Sequence, residues 1–415
     1  MRIKYYVPPP DKAVTHRALL LAAVADGVTT INNPSLCGDT RATIRCLGKL
    51  GVEIKISPDK LLVRGRGLRG LKKPAAPLDA GESGTTMRLL AGLLAGQEFD
   101  SVITGSGSLM KRPMARAVRP LAAMGAKISS AGGRPPLKIR GRRLKGAAHK
   151  LAVSSAQVKS ALLLAGLYAS GETSVAEKFP TRDHTERLLG HFGAEIGRAG
   201  RRIRLRPGHL KAAAVSVPGD LSSAAPFIAA ACSRPGFRLG VKNIGLNPGR
   251  TGFLKALKKM GARISVKPLS SRPEPAGNLV ISGSVLKAVR IASGLVPAMI
   301  DEVPLLALAA AFAHGTTVIS GAGELRHKES DRLKAVSALF RVLGLRMRIS
   351  GGKVSVHGPQ TASVRGIVET FNDHRAVMAA AAGAVLAGRP VAIRDRGCVK
   401  KSYPGFFRDF RKIFR

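Results

Sequence analysis

Two patterns of apolar and polar positions alternate along the chain. The first reads as apolar helices, HRALLLAAVADG, TTMRLLAGLLAG, SALLLAGLYASG, SAAPFIAAACSRPG and VPLLALAAAFAHG, followed by short strands such as TTINN, TSVAE or TTVIS. The second is an amphipathic helix that ends at a small-residue turn and continues as alternating strand: LGKLGVEIKI (47–56), LAAMGAKISS (121–130), LGHFGAEIGR (189–198), LKKMGARISV (257–266) and FRVLGLRMRI (340–349). Its turn glycines, Gly51, Gly125, Gly193, Gly261 and Gly344, stand 68 to 83 residues apart, a spacing of domain-building units rather than of a solenoid. Five α/β units follow, with a sixth completed by DHRAVMAAAAGAVLAG (373–388). Six units in 415 residues predict two domains of three.

Composition refines this picture. Hydrophobic residues are 45% and charged ones 22%, which is globular, while aromatics are 4% with no Trp. The core must therefore be built from Ala, Leu, Val and Ile. The apolar runs fall short of the ~18–20 residues that span a bilayer, and the start MRIKYYVPPPDK shows no signal-peptide core. Cys37, Cys46, Cys232 and Cys398 form no CxxC pair, so neither a zinc site nor a disulfide framework is expected, and the location expected is a reducing cytoplasm.

Charge is the unusual quantity. Lys plus Arg is 68 against 25 acidic residues, a net +43. Such a surplus suits nucleic acid or another polyanion. Yet the cations are spread through folded-looking segments such as GRGLRG, GRRLKG and GRAGRRIRLR, without the interleaved aromatics of single-strand binders. A basic surface is expected, with no specific nucleic-acid partner.

The polar stretches that remain lie at helix starts, where backbone N–H groups can hold anions. PPPDKAVTHR (8–17) carries Lys12 and Arg17; GESGTTMR (81–88) carries Gly84, Thr85 and Thr86; SLMKRPMARAVRPL (108–121) carries Arg112. SSAQVKSALLLAG (154–166) offers Ser155 and Gln157, and TRDHTERLL (181–189) reads as a capping box of Asp183 and Glu186 beside Arg182. The scarce carboxylates add Asp301 and Glu302 ahead of an apolar helix, where they would cap it. KESDR (328–332) holds Lys328, Glu329 and Arg332; FNDHR (371–375) holds Asp373, His374 and Arg375; KKSYP (400–404) holds Lys401.

Taken in order from Pro8 to Pro404, GESGTTMRLL, KRPM, SSAQVKSALLLAGL, TRDHTERLL, VPGDLSSAA, KESDR and NDHR resemble the enolpyruvyl transferases, and within them the EPSP synthase branch. The resemblance implies an α/β fold of two domains, 11–216 and 1–10 plus 217–415, each three βαβαββ units, with the active site in the cleft between them and the 11–216 domain on the shikimate 3-phosphate side. It implies enolpyruvyl transfer from phosphoenolpyruvate to the 5-hydroxyl of shikimate 3-phosphate, with no metal or organic cofactor, no membrane, and a monomer.

Carried over residue by residue, the shikimate 3-phosphate shell is Lys12, Ala13, Arg17, Ser155, Ala156, Gln157, Arg182, Asp301 and Lys328. The phosphoenolpyruvate shell is Lys12, Gly84, Arg112, Gln157, Arg332, Arg375 and Lys401. Asp301 is similar to the base on the 5-hydroxyl, Glu329 to the acid at the methylene, with His374 close by and Lys12 touching both substrates.

Three residues depart from the family pattern. Ala13 replaces the usual Ser and loses a phosphate hydrogen bond. Ala156 is a common variant. Glu82 replaces the usual Asn and adds a negative charge beside an anion site, so it is expected to weaken phosphoenolpyruvate binding or titrate upward unless a cation neutralises it. The nearest alternative, the UDP-N-acetylglucosamine enolpyruvyl transferases, carries a Cys in the loop before its Arg-Pro; TGSGSLMKRP (104–113) has none. A nucleic-acid-binding protein would explain the charge but not the ordered motifs.

Overall fold

The five turn glycines organise the fold. All take left-handed backbone, with φ from +66° to +91°, which glycine adopts without a steric penalty. Each sits just past a helix and passes the chain into an antiparallel hairpin. In a computed structural model that describes residues 2–415, these repeats build two units. One comprises Pro10–Val217 with Arg272–Glu274; the other comprises the chain through Pro9, Pro218–Ser271 and Pro275–Arg415.

The Pro10–Val217 unit holds three four-stranded sheets of one design. In the first the order is Val215–Ser216, Val28–Asn32, Lys60–Arg64, Glu53–Ile56. Its first pair is parallel and the other two antiparallel. Ile31 faces Leu61 across the central pair, both fully buried, so that row fixes which face meets the core. The apolar helices Lys12–Ala23, Gly84–Ala95 and Ala156–Gly166 bury nearly every residue. Their partners Gly38–Lys49, Ala115–Ala123 and His184–His191 bury one face only. That difference is why the first set shows no polar stripe in the sequence and the second does.

The other unit repeats the design twice. Lys4–Tyr6, Arg238–Gly245, Ala276–Ser282 and Arg263–Ser270 form one sheet, and Arg290–Ile291, Gly315–Ile319, Lys353–Gly358 and Arg348–Ser350 another. The sixth repeat differs from the full βαβαββ pattern. Among the described residues it has only the parallel pair Ile367–Val368 and Ala392–Ile393 around helix His374–Ala387, then helix Phe406–Phe414. Its sequence after Gly388 contains no alternating strand pair, so no hairpin forms. The chain that follows contributes instead to an aromatic cluster. Tyr6 stacks on Phe227 with centroids 4.0 Å apart, Phe406 and Phe410 pack edge-on against Phe227, and the Tyr6 and Tyr403 hydroxyls are 3.0 Å apart. Elsewhere the cores are mainly aliphatic, with scattered rings such as Phe192, Phe253 and Phe340.

The surplus charge follows the strand period. Lys138 and Arg140 alternate with buried Leu137 and Ile139, and Arg202 and Arg204 with buried Ile203 and Leu205. Cations thus occupy the solvent face of strands whose other face is core. Among the described residues no helix is long and apolar enough to cross a membrane.

Candidate active site

In the Pro10–Val217 unit, Lys12, Gly84, Ser155 and Gln157 sit at helix starts fixed by side-chain caps. Asp11 caps Lys12–Ala23, accepting from the Ala13 and Val14 N–H groups at 2.7 and 3.3 Å. Lys12 donates to Asp39 Oδ2 at 2.6 Å. Arg17 is buried and donates through Nε to Thr185 Oγ1 at 2.8 Å, through Nη1 to the Ala13 carbonyl at 2.9 Å and through Nη2 to Ser160 Oγ at 2.9 Å. Burial, then the positive charge of Arg182, pulls its pKa down to about 10. It stays a cation at neutral pH, and one that an anion would relieve of repulsion from Arg182.

Ser155 caps helix Ala156–Gly166, its hydroxyl accepting from the Val158 N–H. Gln157, in the first turn, accepts from Arg88 Nη1 at 2.8 Å and donates to Thr85 Oγ1 at 3.0 Å. Gly84 opens helix Gly84–Ala95 behind the Ser83 cap. A side chain there would place its first carbon 2.6 Å from Arg112 Nη1 and 2.7 Å from Arg88 Nη1. Gly84 is therefore what allows two guanidinium groups to lie against this helix start.

The predicted capping box does not form. Asp183 precedes helix His184–His191 but makes no cap bond; its carboxylate accepts from Arg187 Nε at 2.9 Å. Glu186 lies 2.7 Å from Lys159 Nζ, a fully buried ammonium that also pairs with buried Glu177 at 3.1 Å. A desolvated ammonium is a stronger partner for a carboxylate than one backbone N–H.

In the second unit, Asp301 and Glu302 are likewise not caps. Glu302 accepts a short hydrogen bond from Ser222 Oγ, beside the buried Arg250–Asp220 pair at 2.6 Å. Asp301 belongs to Arg332. That guanidinium, 2% exposed, donates through Nη1 to Asp301 at 2.6 Å, through Nη2 to Glu329 at 2.6 Å and through Nε to Asp373 at 2.9 Å. Burial disfavours its charge, but the three carboxylates outweigh that and raise its pKa well above the ordinary value. Asp373, 0% exposed, is also the cap of helix His374–Ala387, accepting from the Arg375 N–H at 2.8 Å. Burial would raise its pKa; Arg332 holds it below the usual carboxylate value. His374 Nδ1 lies 3.9 Å from Asp373. Arg375 is buried, and its Nε and Nη1 have no hydrogen-bond partner among the described residues. Lys328 and Lys401 are half-buried, each at the end of a short 3-10 segment.

The family described as EPSP synthase (3-phosphoshikimate 1-carboxyvinyltransferase) matches residues 6–410. A 3-phosphoshikimate 1-carboxyvinyltransferase of Thermus thermophilus is 48% identical over 411 residues, covering 98% of this chain and 95% of the relative. That of Bacillus subtilis is 42% identical over 409 residues, covering 98% and 96%. The chain belongs to the EPSP synthase family. Among solved structures, an EPSP synthase of Acinetobacter baumannii superposes with a TM-score of 0.87 at 39% identity, covering 99% of this chain and 95% of that one.

Within this EPSP synthase chain two side chains make contacts that the sequence motifs did not assign to them. Arg88 joins Gly84, Gln157 and the Pro113 carbonyl; a lone Arg inside an apolar helix was the available signal. Asp373 holds Arg332 as well as its own helix, and its place just before a helix start hid the second role. His16 is buried on the same helix as Lys12 and Arg17, its Nδ1 2.8 Å from Thr43 Oγ1. Burial lowers its pKa to about 3, against an opposing pull from Asp39 and with help from Lys12 and Arg17. Between pH 6.5 and about 3 the unfolded chain therefore binds a proton that the folded chain refuses. Stability should fall with pH through this window by about 1.4 kcal/mol per unit from this residue. Urea melts at pH 6.5 and 4.5 should show a shallower pH slope for His16→Asn than for the unaltered chain; equal slopes would place the loss elsewhere.

Proposed function

We propose that the protein transfers the enolpyruvyl group of phosphoenolpyruvate to the 5-hydroxyl of shikimate 3-phosphate, releasing phosphate. The observation that carries this reading is the placement of Asp301 and Glu329 on two nitrogens of one buried guanidinium, Arg332. The reaction needs a base and an acid held close together among cations. Asp301 takes the hydroxyl proton as the oxygen adds to C2 of phosphoenolpyruvate, and Glu329 gives a proton to the methylene carbon. Phosphate then leaves with the C–O electron pair while the new methyl group returns a proton, restoring the double bond. Arg332 donates to both carboxylates, and Glu329 must carry a proton before it can act as the acid.

Lys12, Arg17, Ser155, Gln157, Arg182 and Lys328 form the shikimate 3-phosphate shell in this reading, with Ala13 and Ala156 contributing backbone only. Lys12, Gly84, Arg112, Gln157, Arg375 and Lys401 form the phosphoenolpyruvate shell. Arg332 fits less well as a direct ligand, because each nitrogen already donates to a carboxylate. Arg375 fits better: buried N–H groups without partners are costly, and the carboxylate of a bound anion would satisfy one of them.

Phosphate release from phosphoenolpyruvate should require shikimate 3-phosphate and should not be supported by UDP-N-acetylglucosamine. Arg375→Ala should raise KM for phosphoenolpyruvate by about 10–100-fold with little change for shikimate 3-phosphate. No release with both substrates present would refute the activity; equal losses for both would refute the assignment of Arg375.

A further inference from the structure

Glu82 stands where a charge argument expects harm, beside the anion-binding start of helix Gly84–Ala95. Its surroundings show another use. Glu82 Oε1 accepts from the Ser108 N–H at 3.0 Å, at the start of the short 3-10 segment Gly107–Lys111. The approach is so close that a side chain at Gly107 would collide with the Glu82 carboxylate. Two more ties join the same pair of segments: Ser106 N–H donates to the Gly81 carbonyl at 2.8 Å, and Arg88 Nη2 donates to the Pro113 carbonyl at 3.0 Å. The 3-10 segment is closed internally by the Arg112 N–H on the Leu109 carbonyl at 3.0 Å. Arg112 leaves its far end and returns its guanidinium to Gly84, two residues from Glu82. The chain thus makes a closed circuit, in which Glu82 grips the entry of the segment that delivers Arg112.

We propose that Glu82 is a positioning residue that holds Arg112 against Gly84 for phosphoenolpyruvate binding. The inference rests on the reading of Arg112 as a phosphoenolpyruvate ligand. An ionised carboxylate on a backbone N–H is a strong tie, and it sits where the 3-10 segment presents otherwise unpaired N–H groups. An amide at position 82 could still accept from Ser108 through its oxygen; alanine could not.

The two accounts of Glu82 predict opposite signs. If it were chiefly a repulsive charge, removing it would tighten phosphoenolpyruvate binding. If it positions Arg112, Glu82→Ala should raise KM for phosphoenolpyruvate about tenfold, leave KM for shikimate 3-phosphate unchanged, and be largely rescued in Glu82→Gln. Gly107→Ala, which displaces the carboxylate from the other side, should raise the same KM, and combining it with Glu82→Ala should add little further. Steady-state kinetics of these variants and of Arg112→Ala, each on the full chain, decide the matter. The unchanged shikimate 3-phosphate KM serves as the control for folding. A lowered phosphoenolpyruvate KM in both Glu82 variants, or an unchanged one in Glu82→Ala while Arg112→Ala is impaired, would overturn the positioning role alone. An unimpaired Arg112→Ala would overturn the site reading beneath it.

Discussion

Asp301→Asn should lower turnover by about 10²–10⁴, the range lost with a positioned acid or base, while both KM values change little. Asparagine keeps an oxygen that can accept from Arg332 Nη1, which lies 2.6 Å from the Asp301 carboxylate. The substitution therefore removes the proton acceptor and leaves the geometry largely in place. Asp301→Ala removes both, so Arg332 loses one of its three carboxylates and the local packing relaxes. Comparing the two variants separates chemistry from support. If Asp301→Asn turned over at a near-normal rate and only Asp301→Ala were impaired, Asp301 would be a structural counter-charge to Arg332 and the base would lie elsewhere.

Arg332→Met should be the most destabilising single substitution in the second unit. It leaves Asp301, Glu329 and Asp373 together without their common cation, and Asp373 has no solvent exposure. Removing one partner from a buried ion pair costs about 3–5 kcal/mol, because the remaining charge stays desolvated. The pH dependence gives the signature. In the unaltered chain Asp373 has a lowered pKa, so its contribution is present above the unfolded value of 3.8 and lost as pH falls through the folded value. In the variant, burial acts without Arg332 and with only the smaller pull of His374 against it, so the pKa of Asp373 rises and acid relieves the defect by neutralising it. The stability gap between the two proteins should be wide at pH 7 and narrow toward about pH 4. A gap independent of pH in urea or thermal melts would mean that packing, not uncompensated charge, is lost.

Much of the architecture was legible because it depends on local spacing. A glycine after an amphipathic helix and before alternating residues carries its own backbone requirement, and all five such positions form the expected turn. The apolar helices announced their burial by lacking a polar face. The choices that escaped were made by long polar side chains among competing partners. Glu186 follows a capping pattern in the sequence, but Lys159, 27 residues earlier, brings a buried ammonium to it. Asp301 and Glu302 look like caps until Arg332 and Ser222 reach them from elements 31 and 80 residues away. The site motifs placed most candidates at helix starts, yet not that one arginine would hold Asp301, Glu329 and a helix cap together. The sixth repeat was legible only through its apolar helix, because the sequence after that helix carries no hairpin pattern.

The aromatic cluster around Phe227 has a spectroscopic consequence. The chain has no Trp and four Tyr, and two of these, Tyr6 and Tyr403, are buried with their hydroxyls in contact in one unit. Tyr5 is exposed, and Tyr168 is the one tyrosine of the Pro10–Val217 unit. Near-ultraviolet dichroism should therefore report chiefly on the joining of the N-terminal strand to the C-terminal helix, whereas the amide signal averages both units. Where the two signals part company during denaturation, the units melt separately, and a single unfolding free energy would misdescribe the protein.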